Sequence, residues 1–175
     1  MIDWLLVPVA YLVGSVQWGL YVVHLTTRVD VRTVGSGKTG FTNVLRTSGK
    51  RAAVVVLLAD AAKGIAIVIL ARIISDDTSL HALSAAGVIT GHIWPVLAGF
   101  KGGRGIATGV GTVIGLEPVS ALIALSVFIL VAAVSRYVSL GSILGVLTVM
   151  IVFTVSSLAF DGPLPYLWFV LGMGT

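Results

Sequence analysis

The sequence predicts an all-α polytopic membrane protein of about seven transmembrane or half-spanning helices joined by glycine-rich cytoplasmic loops. Three observations carry that prediction. The 175-residue chain is 57% hydrophobic and 10% charged with a mean hydropathy of +1.09. An average soluble domain carries roughly a quarter charged residues, so this chain lacks the polar surface to cover itself in water. Its apolar residues gather into seven runs, and its basic residues fall between alternate runs. A crossing needs roughly 20 residues, so the length allows at most about seven or eight and leaves little for an extramembrane domain. Residues 1–175 therefore read as one integral-membrane domain. The absence of cysteine excludes disulfides, thiolate nucleophiles and thiolate metal sites.

The runs are Ile2 to Thr27, Ala52 to Ile74, His81 to Gly99, Ile106 to Leu116, Val119 to Val134, Ser142 to Phe160 and Leu164 to Thr175. The first carries an acid where a cleaved signal has basic residues, and glycine, serine and glutamine interrupt it, so it reads as a retained span. The first three, the fifth and the sixth are long enough to cross or nearly so. Ile106 to Leu116 is short and glycine-rich and must borrow length from the loop before it. The last run, of 12 residues, covers only about 18 Å and is expected to be a helix cut short.

Alternating crossings with Asp3 outside place Arg28, Arg32, Lys38, Arg46, Lys50, Arg51, Lys101, Arg104 and Arg136 on one side, nine of the 11 basic residues, with Asp30 as that side's sole acid. The positive-inside rule makes that side cytoplasmic. Asp76, Asp77, Glu117 and Asp161 fall opposite.

The first cytoplasmic loop reads VRTVGSGKTGFTNVLRTSGKR from Val31 to Arg51. Gly35, Gly37 and Gly40 permit positive φ and let backbone N–H groups converge on an anion, while Ser36, Thr39, Thr42 and Asn43 supply neutral hydrogen-bond groups. Thr42 or Asn43 is placed to cap a short helix through Arg46, whose side chain suits a bidentate clamp on phosphate or carboxylate. GSGKTG resembles a nucleotide P-loop only superficially, since the four-residue gap from the first glycine is wrong and no strand precedes it. The same composition also fits a flexible basic loop facing anionic headgroups.

The second loop lies within GHIWPVLAGFKGGRGIATGVG, Gly91 to Gly111. Lys101, Gly102, Gly103, Arg104 and Gly105 combine small residues with two cations directly before a helix, a second anion-binding arrangement on the same face. His92 is the histidine adjacent to these loops, and a lone histidine is more often structural than a base. The third loop, SRYVSLGSI from Ser135 to Ile143, is a weaker signal, with Arg136 and Tyr137 as interface anchors. Asp60 and Lys63, three apart on the second run, share a face and can pair. That pair reads either as an ion or proton route or as a buried structural tie. Arg72 is expected to snorkel toward the outer surface.

Four strings together resemble successive motifs of one bacterial family: GSVQWG (Gly14 to Gly19), VGSGKTGFTNVLRTSGK (Val34 to Lys50), GHIWPVLAGFKGGRGIATGVG (Gly91 to Gly111) and RYVSLGSI (Arg136 to Ile143). The family is that of membrane glycerol-3-phosphate acyltransferases that take acyl phosphate as donor. The resemblance implies a seven-helix fold in the bacterial inner membrane, a site made of cytoplasmic loops, and acyl transfer to the 1-hydroxyl of glycerol 3-phosphate, giving lysophosphatidic acid and inorganic phosphate. It assigns phosphate binding to Ser36, neighbouring roles to Thr42 and Asn43, and cationic roles to Arg46 and Arg104. It adds Ser142 from the third motif.

Acyl phosphate is already an activated anhydride, so positioning and charge stabilisation suffice and no nucleophile is required. The His-x4-Asp pair of other glycerolipid acyltransferases is absent, Leu97 standing where the acid belongs. A phosphate oxygen of the substrate is the expected proton acceptor, with His92 the less favoured base. No cofactor and no metal are expected, and the partners are acyl phosphate, glycerol 3-phosphate and membrane lipids. Nucleic acid is not expected, because the basic residues are juxtamembrane.

Lys38, Phe41 and Arg104 stand where the family usually has asparagine, alanine and lysine. The histidine- and asparagine-bearing segment and basic tail that the family carries near its end would lie beyond Thr175. The rival readings are an organic-anion carrier and a catalytically silent homologue.

Overall fold

The computed structural model describes residues 2–159 and 162–173, and these residues form helices and short connections. A 3₁₀ turn, Ile2–Leu5, leads into α1 (Leu6–Gly14). After a break, α2 (Trp18–Thr27) leads to a 3₁₀ turn at Val31–Thr33 and the first loop. Then come α3 (Phe41–Ile74), α4 (Thr78–Ile93), a 3₁₀ turn at Val96–Ala98, α5 (Ile106–Leu116), α6 (Pro118–Ser135), α7 (Val138–Ala159) and α8 (Leu164–Met173). Five stretches are long and apolar enough to cross a membrane: Ile2–Thr27, Phe41–Ile74, Thr78–Ala98, Pro118–Ser135 and Val138–Ala159. At 1.5 Å per residue α5 spans only about 17 Å. Phe160, Asp161 and the end of the last run at Gly174 and Thr175 lie outside the described residues.

Several boundaries differ from the sequence reading. The first run is two helices, not one, because the backbone turns at Ser15 to Gln17 and the carbonyls freed there are taken by Lys63: Nζ donates to Gly14 O (3.0 Å) and Val16 O (2.8 Å). The second run starts eleven residues earlier than Ala52 as one element bent at Gly49, whose φ of 80° is a left-handed value that a side chain would resist. Asp77 caps α4 by accepting from Ser79 N (2.8 Å), so that helix begins before His81. The third loop shrinks to Arg136 and Tyr137. Arg136 takes a left-handed conformation (φ 62°), reverses the chain, and leaves Ser142 inside α7 rather than in a loop.

Two helix pairs are in near backbone contact. A Cβ on Gly14 would sit 2.1 Å from Val88 O and one on Gly91 2.0 Å from Tyr11 O, which locks α1 to α4. A Cβ on Gly64 would sit 2.4 Å from Thr108 O and one on Gly111 2.1 Å from Ala61 O, which locks the short α5 onto α3. Small residues are the means by which helices approach closely where lipid removes the hydrophobic drive to associate. Arg72 does not snorkel: its NH1 donates to Gly115 O (2.9 Å), placing a cation on the carbonyl end of α5.

The main core joins α1, α3, α4 and α5 and is closed by Phe153 of α7 and Tyr166, Phe169 and Val170 of α8. A second cluster, Val23, Val31, Val44, Ala52, Ala53 and Val56, lies beneath the first loop and gives it a floor.

Candidate active site

The first loop is wound around Asn43. Its side chain is buried; Oδ1 accepts from Ser36 N (3.1 Å), and Nδ2 faces the carbonyls of Val31 (2.9 Å), Val34 (3.0 Å) and Lys38 (2.9 Å). The two N–H groups of the amide are shared among these three carbonyls, so its donors are spent on the backbone. Asn43, expected as a helix cap or substrate ligand, is the hub of the loop. The helix instead starts at Phe41 with Gly40 as its cap, and no side chain serves there, so Thr42 is not a cap either. Gly35 and Gly37 have positive φ (58° and 68°), whereas Gly40 is ordinary at −84°. A Cβ on Gly35 would also lie 2.1 Å from Asn43 Oδ1.

The second loop folds back onto the end of α4. Gly103 N donates to His92 O (3.1 Å), and Phe100 N donates to Pro95 O (2.8 Å). A Cβ on Gly102 would lie 2.0 Å from His92 O, and one on Gly103 2.1 Å from His92 Nε2. Packing against His92 is therefore reason enough for both glycines. Gly105, φ 80°, starts α5 without a side-chain cap.

Under both loops lies a buried polar cluster. Lys63 Nζ sits 2.9 Å from Asp60 Oδ1 and 2.9 Å from His92 Nδ1, besides its two bonds to the break in the first run. The contact with Asp60 is an ion pair without hydrogen-bond alignment. An ammonium only donates, so His92 Nδ1 accepts and the ring proton sits on Nε2, against Gly103. The pairing expected from the spacing of Asp60 and Lys63 is present, and the geometry is that of the structural tie, since the lysine is spent on carbonyls. His92 is 3% exposed with both ring nitrogens engaged or covered, which leaves it no open face for the base role considered above.

Gln17, 1% exposed at the break, joins the two loops from below. Thr39 Oγ1 donates to its Oε1 (2.6 Å), and its Nε2 donates to His92 O (3.2 Å). Gly19 allows this contact, since a Cβ there would collide with Thr39 O.

Between the loops lies an open cleft of about 610 Å³. Ser36, Gly37, Lys101 and Gly102 line it, together with Asp30, Arg32, Lys38 and the Ala98 to Phe100 turn. Arg32 grips Asp30 through Nε (3.0 Å to Oδ1) and NH2 (2.7 Å to Oδ2), and its NH1 donates to Ala98 O (2.9 Å) across the cleft. The Arg32 hydrogen bond holds the Asp30 carboxyl below the usual carboxylate value. Lys38, Arg46, Lys101 and Arg104 are exposed and hold no ion pair or side-chain hydrogen bond among the described residues. Their charge is unspent. Thr42, Arg46 and Arg104 are exposed beside the cleft-lining set rather than in it, and Ser142 turns its hydroxyl back to Val138 O (3.0 Å) within α7.

The sequence reading assigns no site role to Asp30, Arg32 or Gln17, and it offers Thr39 as a hydrogen-bond group for an anion, whereas its hydroxyl is spent on Gln17. The available signal was the interruption of an apolar run by Gln17, which marks a buried amide in need of partners.

The family model for glycerol-3-phosphate acyltransferase matches residues 4–174. The glycerol-3-phosphate acyltransferase of Clostridioides difficile is 46% identical over 143 residues, covering 79% of this chain and 70% of its own. That of Rubrobacter xylanophilus is 41% identical over 174 residues, covering 98% and 83%. Among solved structures, the glycerol 3-phosphate form of PlsY (YgiH), an integral membrane glycerol 3-phosphate acyltransferase, superposes with a TM-score of 0.91 at 33% identity, over 99% of this chain and 85% of that one. Its lysophosphatidic acid form gives 0.88 at 31% identity. With its helices, its motif-bearing loops and nearly its whole length matched, this chain belongs to the glycerol-3-phosphate acyltransferase family.

Proposed function

We propose that this chain moves a fatty acyl group from acyl phosphate to the 1-hydroxyl of sn-glycerol 3-phosphate, releasing lysophosphatidic acid and inorganic phosphate at the cytoplasmic face of a bacterial inner membrane. The observation that carries the reading is the cleft. It is open, cationic and edged by glycine-rich backbone, and it sits at the end of apolar helices that a lipid donor can lie against. A relative with this fold has been crystallised with glycerol 3-phosphate and with lysophosphatidic acid, one substrate and one product of the proposed reaction. The concentration of basic residues around the loops supports a cytoplasmic site.

The chemistry asks for little beyond placement. The hydroxyl oxygen of the acceptor attacks the donor carbonyl carbon, the bond from that carbon to the phosphate oxygen breaks, and the phosphate leaves with the electron pair. The hydroxyl proton passes to a phosphate oxygen. Lys38 and Lys101 lower the cost of holding two anionic groups together, and Ser36 offers a hydroxyl to one of them. Arg46, Arg104 and Ser142 are assigned by resemblance, with Arg46 and Arg104 adding positive potential at the rim. His92 holds the second loop in place.

Purified protein in detergent, given acyl phosphate and glycerol 3-phosphate, should form lysophosphatidate and phosphate in equal amounts. Ser36→Ala, Arg46→Ala and Arg104→Ala should each cut kcat/KM by about 10²-fold, the scale of losing one charge-stabilising donor. Unchanged rates in all three would remove the site assignment, and a trapped covalent acyl-enzyme would remove direct transfer.

A further inference from the structure

We infer that the Asp30–Arg32 pair is a clamp that sets the spacing of the two loops, which makes Arg32 a positioning residue for the transfer reaction. The inference rests on the functional reading above for its activity arm only. Arg32 is the residue whose side chain bonds across the mouth of the cleft. NH1 reaches Ala98 O at 2.9 Å, 66 residues away, at the 3₁₀ turn that leads into Gly99, Phe100 and Lys101.

The guanidinium does not reach there by itself. Nε lies 3.0 and 3.1 Å from the two Asp30 oxygens and NH2 2.7 Å from Oδ2, a forked grip that fixes its plane. Asp30 is fixed in turn, because Oδ1 also accepts from Arg32 N (2.9 Å) as the cap of the 3₁₀ turn at Val31–Thr33. Val31 at the start of that turn is fully buried in the cluster under the loop. The chain of constraint therefore runs from the floor of the first loop through Asp30 and the Arg32 plane to the backbone of the second.

The arrangement depends on fork geometry rather than charge. A lysine ammonium keeps the charge but cannot hold two carboxylate oxygens and a carbonyl in one plane. The buried Gln17 link fixes the loops at depth, whereas Arg32 acts where Ser36 and Lys101 face one cleft. If acyl transfer requires two anionic groups held at a set distance, a change in loop spacing reaches the rate directly.

The test uses Arg32→Lys, Arg32→Met and Asp30→Asn in the full chain, with kcat/KM, thermal stability in detergent and loop spacing read in parallel. Because the chain has no cysteine, nitroxide labels on Thr33→Cys and Leu97→Cys report loop spacing without background. We expect Arg32→Lys to lose kcat/KM by at least about tenfold, as Arg32→Met does, with an unchanged Tm and a broadened label distance. Asp30→Asn, which keeps the arginine and loosens its grip, should give a smaller loss and a smaller broadening. Wild-type kcat/KM in Arg32→Lys, or an unbroadened distance in both arginine variants, overturns the clamp. A wild-type protein that produces no lysophosphatidate overturns the functional reading instead, and the distance measurement then decides the clamp alone.

Discussion

The α1–α5 bundle and the α6–α7 hairpin are made of much the same apolar residues, yet they are held by different means. In the bundle, glycines bring backbones into contact, buried Gln17, Asp60, Lys63 and His92 tie elements far apart in sequence, and buried Asn43 ties its own loop together. In the hairpin, α6 buries only Ser120, Ala121 and Ala124, and α7 only Gly141, Gly145 and Phe153, while Leu122, Leu130, Val134, Ile151 and Leu158 face outward. Its polar fastening is Glu117, which accepts from Ser120 and from Ser156 Oγ (3.0 Å). Apolar side chains surrounded by lipid tails hold nothing in register, so precision comes from close contact and from polar ties. The cleft sits on the half that has both.

That contrast can be broken experimentally. The largest effect is expected from Gly102→Ala, whose Cβ would meet the backbone oxygens of His92 and Ile93 at 2.0 and 2.8 Å and unseat the second loop. It should lower kcat/KM by about 10²-fold or more and reduce Tm. Next is Lys63→Met, which strands Asp60 and two carbonyls at the break in the first run. Breaking one side of a buried pair costs about 3–5 kcal/mol, and unfolding in detergent should show it. Adding Asp60→Leu should return part of that loss.

A smaller effect is expected from acid. Asp30 is held below the ordinary carboxylate value by Arg32, so its contribution is complete above that value and is lost only as pH falls through the lowered one. Label distances between Thr33→Cys and Leu97→Cys should stay constant from neutral pH down to the ordinary carboxylate range and widen only in stronger acid. Asp30→Asn should erase that step. The smallest effect is expected on the hairpin, where Leu130→Ala should change stability by no more than about 0.5 kcal/mol. A loss comparable to that of Lys63→Met would erase the distinction between the two halves.

Much of this was legible in the residues. The apolar runs found the spans, the lysines and arginines found the loops, and the three-residue spacing found the Asp60–Lys63 pair. The break at Ser15 was hidden because the groups that stabilise it sit on α3, almost fifty residues away. The expectation of positive φ at Gly35, Gly37 and Gly40 holds for the first two and fails at Gly40, whose φ is −84°. Gly102 and Gly103 answer to the ring and carbonyl of His92, a contact that spacing does not reveal. The polar SRYVSLGSI string predicts a loop that includes Ser142. The reversal there takes only Arg136 and Tyr137, so the serine lies within a helix and satisfies itself on the preceding turn.

The occupied amide of Asn43 has a consequence for affinity. Fixing a backbone residue costs roughly 1–2 kcal/mol in lost conformational freedom. With the carbonyls of Val31, Val34 and Lys38 and the N–H of Ser36 all held from within, that freedom is surrendered when the chain folds. An arriving phosphate therefore meets a loop that is already ordered. Weak charge contacts then suffice to capture a small, strongly hydrated anion.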